Sequence, residues 1–159
     1  MVPLLRRADP NGPRCLAYLY VYAHAPAKTQ QRLRQILDSQ YRPAPSGLVG
    51  NADLAQMSAW LLFTALGFYP VAPSSNEYVI GRPFVDEATL HLPHGNTFKV
   101  VAEGLDSSNA YLKSLILNGH ALSRSFLRHD ELMQGGELRF VMSTQPLELP
   151  YSMTRDSRP

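Results

Sequence analysis

The sequence predicts an α+β fold in which a helical half precedes a β-rich half, and two changes of texture carry that reading. Before Pro73 the apolar residues recur at three- and four-residue spacing or run unbroken for several turns. Beyond Pro73 they come in short β-rich runs punctuated by Gly, Asn and Pro. No internal repeat or low-complexity tract interrupts the order, and 159 residues suit one domain, which at this size buries about 70% of its unfolded surface.

Residues 1–15 hold three prolines, one glycine and mixed charges, and are read as an irregular segment. The helical region is set at residues 16–72. Its first run, Leu16 to Tyr22, is dense in aromatic and apolar groups and stops by Pro26; it suits a strand or a helix, and a short helix is predicted. Thr29 is predicted to cap a second helix. Leu33, Ile36, Leu37 and Tyr41 then share one face, with Arg32, Arg34 and Asp38 on the wet side. Pro43, Pro45 and Gly47 break the chain before a third helix, which opens in the motif Gly50 to Trp60 and ends at Gly67, a C′ glycine. This third helix is apolar on nearly every side, so it belongs inside a larger body. Left uncovered, its surface predicts self-association.

The β-rich region is set at residues 73–146, with antiparallel strands predicted at Tyr78 to Ile80, Ala88 to Leu92, Phe98 to Ala102, Tyr111 to Leu117 and Glu137 to Met142. Asn118 and Gly119 form the clearest hairpin turn, because both positions need positive φ. His94, Gly95 and Asn96 form a second turn. Asp130 is predicted to cap one helical turn over Glu131 to Gln134, which Gly135 and Gly136 then end. Residues 147–159 read as a disordered tail.

A net charge of +2, with Lys and Arg scattered, favours neither a nucleic acid nor an anionic membrane as partner. No apolar stretch approaches the roughly 20 residues that span a bilayer, and Met1 to Leu5 is too short for the apolar part of a signal peptide. The chain therefore reads as soluble. Cys15 is the single cysteine, which excludes an internal disulfide framework and a cysteine-based zinc site. The histidines at 24, 91, 94, 120 and 129 lack the spacing of a local metal clip and read as surface residues. Ser58, Ser123 and Ser125 sit in no nucleophile elbow, and no phosphate-cradling glycine loop is present.

One group stands out. Asp53 precedes the third helix with Gln56 three residues on, which is a capping pair in its plainest reading. The same position keeps a carboxylate ionised beside the positive end of a helix, ready to accept a proton, and Asn51 can hold a water or hydroxyl for it. Trp60, Phe63, Phe68 and Tyr69 supply either core or a stacking surface for a sugar ring.

The residues Ala17 to Tyr20, Lys28 to Gln30, Tyr41 to Pro43, the Gly50 to Trp60 motif and Ala65 to Pro70 together resemble the C-terminal part of the glycoside hydrolase family 92 α-mannosidases. Ile80 to Pro83, Asn109 with Tyr111, Leu117 to Gly119, His129 and Gly135 with Gly136 extend the resemblance over nearly the whole chain. It implies a helical fragment of an (α/α)6 barrel followed by a small, sandwich-like antiparallel region. It also implies a calcium-dependent, inverting exo-α-mannosidase acting on mannose-containing glycans, of a kind commonly exported. Asp53 matches that family's general base and Asn51 the position that assists it. The family's general acid lies in a Glu-Gly-Asn segment with no counterpart here, and its calcium-site glutamate aligns with Asn11. By resemblance, then, the isolated chain is inactive; the alternative is a non-catalytic remnant or carbohydrate-binding interaction module.

Overall fold

A helical layer and a β-rich layer meet at a pair of glycines, Gly67 and Gly81. The computed structural model describes residues 14–40, 56–72 and 74–146. A 3-10 turn at Arg14–Tyr18 leads into α1 (Leu19–Tyr22), followed by α2 (Pro26–Gln40) and α3 (Gln56–Leu66). The strands are β1 (Phe68–Tyr69), β2 (Glu77–Ile80), β3 (Glu87–His91), β4 (Thr97–Glu103), β5 (Tyr111–Leu117), β6 (His120–Ala121), β7 (Phe126–Arg128) and β8 (Gly136–Ser143). A short helix, α4 (His129–Gln134), sits between β7 and β8.

The α+β order is as predicted, and local details depart from it for physical reasons. The first helical run begins at Arg14, inside the segment read as irregular. Pro26 does not merely end the preceding run; it opens α2, since a proline at the first helical position lacks only an N–H that would go unused there. Thr29 therefore lies within α2 instead of capping it, and its buried hydroxyl has no hydrogen-bond partner among the described residues. Leu33, Ile36 and Leu37 are buried as their spacing demands, while Tyr41 lies outside the described residues. Asp130 is not the cap of α4. That helix starts two residues earlier than predicted, at His129, and the Glu131 carboxylate accepts the Arg128 N–H at 2.9 Å. Gly67 closes α3 with φ +91°, as a C′ glycine should.

The strands form a three-stranded sheet, β1-β2-β7, and a five-stranded sheet, β3-β4-β8-β5-β6. Every pair is antiparallel except β4·β8, which runs parallel from Phe98↔Gly136 to Glu103↔Val141. The second sheet is thus mixed, because the chain passes through β5, β6, β7 and α4 before β8 returns between β4 and β5. The Asn118-Gly119 turn joins β5 to β6 with φ values of +50° and +81°. Strands β1 and β7 have two and three residues, too short to leave a periodic signal.

Two cores result. One gathers Phe98, Val100, Leu112, Leu115, Leu138 and Phe140 of the large sheet with Phe68 and Leu127 of the small one. The other gathers Tyr18, Val21, Leu33 and Trp60 of the helices with Val79 of β2. Between them, the Gly81 N–H donates to the Gly67 carbonyl at 2.8 Å. A Cβ on Gly67 would lie 2.7 Å from the Phe140 ring, and one on Gly81 would lie 2.7 Å from Leu33 Cδ1 and 2.9 Å from Tyr18 Cε1.

Gly81→Ala should therefore force two packed side chains apart, at a cost of roughly 1–3 kcal/mol. Urea unfolding of the variant measures this; an unchanged midpoint would show that the seam has room.

Candidate functional site

Asp53 and Asn51 lie outside the described residues, as does the start of their motif. What the structure gives is the platform that follows them in sequence, the helix α3 from Gln56. Its inward face is fixed by Trp60 and Thr64, four residues apart and both buried. The Tyr18 hydroxyl, wholly buried, donates to Thr64 Oγ1 at 3.0 Å and fixes the rotation of α3 against the 3-10 turn. Tyr18 also stacks on Tyr69, with ring centroids 5.2 Å apart. Phe63 packs edge-on against Phe68 at 6.2 Å and stacks on Tyr78 at 6.0 Å. Trp60 and Phe68 are buried, so these aromatic groups form core and not an open sugar-stacking surface. The outer side of α3 is different, since Leu62 is 67% exposed.

The helical layer is strapped to the large sheet by polar groups. Gln30 Oε1 accepts the Leu112 N–H at 3.0 Å, in a buried setting next to the register shift between Leu112 and Ser114. Arg34 donates to the Ser107 carbonyl and Arg82 Nη2 to the Asn109 carbonyl at 3.1 Å. Arg82 is only 5% exposed and lies 4.7 Å over the Phe84 ring. Burial, and then the charge of Arg34, lower its pKa. The loop these arginines hold is itself tightened by Asp106, whose Oδ1 accepts from the Ser108 hydroxyl at 2.6 Å and from the Asn109 N–H at 2.8 Å. Those bonds hold the Asp106 carboxyl below its ordinary range.

The five histidines are exposed, as their spacing suggested. One of them has a contact that no local pattern could announce: His129 Nδ1 lies 2.8 Å from the Tyr78 hydroxyl, across 51 residues of sequence. The pair borders a cleft of about 370 Å³ with Asn76, Glu77 and Ser74. Among the described residues, no three His, Cys, Asp or Glu side chains come together as a metal group. The oxygens of Asp106 already accept four hydrogen bonds from Ser108 and Asn109. Calcium takes six to eight oxygen ligands, so the described residues do not fit a calcium cage.

The profile of the glycosyl hydrolase family 92 catalytic domain matches residues 10–144. The chain belongs to glycoside hydrolase family 92. It is 30% identical over 139 residues to an uncharacterized secreted glycosidase of Arthroderma benhamiae, covering 85% of this chain and 18% of that protein. The family GH92 α-mannosidase BT3965 from Bacteroides thetaiotaomicron, solved alone and with mannoimidazole, is 42% identical with a TM-score of 0.81, over 85% of this chain and 18% of that one. The inverting mannosidase BT2199 from the same organism gives the same identity and TM-score over 91% of this chain and 20% of its own. A fourth structure, of the family glycosyl hydrolase ccman5, is 23% identical with a TM-score of 0.83 and speaks to the fold alone. The chain thus spans about a fifth of the length of these relatives.

Burial holds the Tyr18 hydroxyl far above its ordinary value of 10.0, and the bond to Thr64 offsets this only in part. The folded state keeps the proton where the unfolded chain loses it. The contribution of Tyr18 to stability is therefore complete below pH 10.0 and is lost as the pH rises beyond it. Tyr18→Phe should cost about 0.5–1.5 kcal/mol near neutrality, through the lost hydrogen bond. It should also flatten the alkaline fall in stability. Urea titrations at about pH 7 and about pH 10.5 compare the two limbs.

Proposed function

We propose that this chain supplies the base side of a family 92 α-mannosidase active site, with Asp53 as general base and Asn51 assisting it. The observation that carries the reading is the 42% identity, at a TM-score of 0.81, to the α-mannosidase BT3965, together with the Asp53 motif directly ahead of α3. In an inverting reaction a carboxylate takes a proton from water as the water oxygen bonds to the anomeric carbon. A carboxylic acid on the other side, about 6.5–9.5 Å away, gives its proton to the departing glycosidic oxygen. Asp53 fills the first role. The second belongs to a part of the enzyme that these residues do not include, so the 159-residue chain by itself does not turn over. Terminal α-mannosides on glycans are the proposed substrates. Calcium dependence is proposed for the completed site, with ligands beyond the described residues.

A second reading, a carbohydrate-binding module without turnover, draws on the polar cleft beside Tyr78 and His129.

The test is hydrolysis of a chromogenic α-mannoside with added calcium, by the chain alone and by a complete enzyme carrying it in place of the matching segment. The expected outcome is no turnover from the chain alone and calcium-dependent turnover from the complete enzyme. In the latter, Asp53→Asn should lower the rate by roughly 100- to 10,000-fold. Activity of the isolated chain would sink the inactivity proposal, and an Asp53→Asn enzyme of full activity would sink the assignment of the base. Mannose binding abolished by Tyr78→Phe, without turnover in either format, would favour the second reading.

A further inference from the structure

The helices turn an apolar face outward. Among the described residues, the large apolar side chains that are markedly exposed are Leu16 (41%), Leu19 (42%), Tyr22 (41%) and Leu62 (67%), and all four lie on the helical layer and none on a strand. Two grooves run beside them. One, of about 490 Å³, is bordered by Leu19, Tyr22, Val71 and Phe126. The other, of about 660 Å³, is bordered by Leu37, Leu61, Leu62 and Phe84, with Asp38 at its edge. The strands show the opposite arrangement, since their large apolar groups turn into the core around Phe140 and Leu138. Among the described residues the markedly exposed large apolar groups are thus gathered on the helical layer, a distribution expected of a surface that has a partner.

The relatives indicate which partner. The chain superposes on α-mannosidase BT3965 with a TM-score of 0.81 yet covers only 18% of it, so more than four-fifths of that fold has no counterpart in these residues. The β-rich side already has a buried core of its own, and the helical side carries the exposed leucines.

We propose that the two apolar grooves of the helical layer, one beside Leu19 of α1 and the other beside Leu62 of α3, are docking surfaces for the remainder of a family 92 catalytic domain, and that this chain can engage that remainder as a separate polypeptide. The proposal rests on family membership and the exposed face. It does not depend on the role of Asp53, because it concerns assembly and not turnover.

The test is co-expression of the tagged 159-residue chain with α-mannosidase BT3965 from which the matching segment has been deleted. The expected result is that the chain renders the deleted enzyme soluble and the two co-elute as a one-to-one complex. Leu62→Asp and Leu19→Asp, each checked for native circular dichroism, should reduce the recovered complex by more than about tenfold. Lys113→Asp, on the exposed side of β5, should leave recovery unchanged. Loss with one folded leucine variant suffices if the other does not fold. A deleted enzyme that stays insoluble with the chain present, two species that elute apart, or a chain recovered only as its own dimer would each overturn the proposal. So would folded leucine variants that bind as well as the parent. Turnover is not read, so a failed assignment of the base leaves the result intact.

Discussion

The hydrogen bond between the Gly81 N–H and the Gly67 carbonyl is the constraint on which both layers depend. On one side of it the Phe140 ring leaves no room for a Cβ at 67, and on the other Leu33 and Tyr18 leave none at 81. The two cores can approach this closely only because bare backbone lies between them. Gly67 does a second job at the same point, since its positive φ turns the chain out of α3 and into β1. One residue thus ends the helix, starts the small sheet and fixes the distance between α3 and the large sheet.

Apolar packing alone would let the helical layer slide over the sheet, because the hydrophobic effect is not directional. The directional part comes from polar side chains on α2 and after β2. Gln30 satisfies a strand N–H, and Arg34 and Arg82 each bind a carbonyl of the loop between β4 and β5. The Gln30 bond is buried, where leaving either partner unmet is costly, while the arginine bonds lie nearer the surface. The Tyr18–Thr64 bond sets the rotation of α3 in the same way. The orientation of α3, the helix that follows Asp53 in sequence, therefore depends on bonds to residues far from it in the chain.

Much of the fold was legible in the sequence. Strand β5 was predicted with its observed bounds, and the Asn118-Gly119 turn was read from the demand for positive φ. Periodicity picked out Leu33, Ile36 and Leu37 as buried. Three things were not legible, each because it depends on distant partners. The parallel alignment of β4 with β8 has no local signature, as strand pattern reports which face is buried and not which neighbour is paired. Pro26 and Thr29 were misread because proline serves equally as a stop and as a first helical residue. The Tyr78–His129 contact joins residues that share no motif. The family was legible through the ordered motifs from Ala17 to Gly136, and the family profile matches residues 10–144. For the candidate site, the sequence singles out Asp53 and Asn51, and both lie outside the described residues.

The place of β8 in the sheet has a consequence for biosynthesis. It is the last strand described, yet it occupies the middle position, between β4 and β5. Strands β3 with β4 and β5 with β6 can pair as they emerge from the ribosome, but each hairpin keeps an open inner edge until Gly136 to Ser143 arrives. Closure of the sheet is therefore a post-emergence event of high contact order. During that interval the nascent chain presents two strand edges open to pairing with another chain.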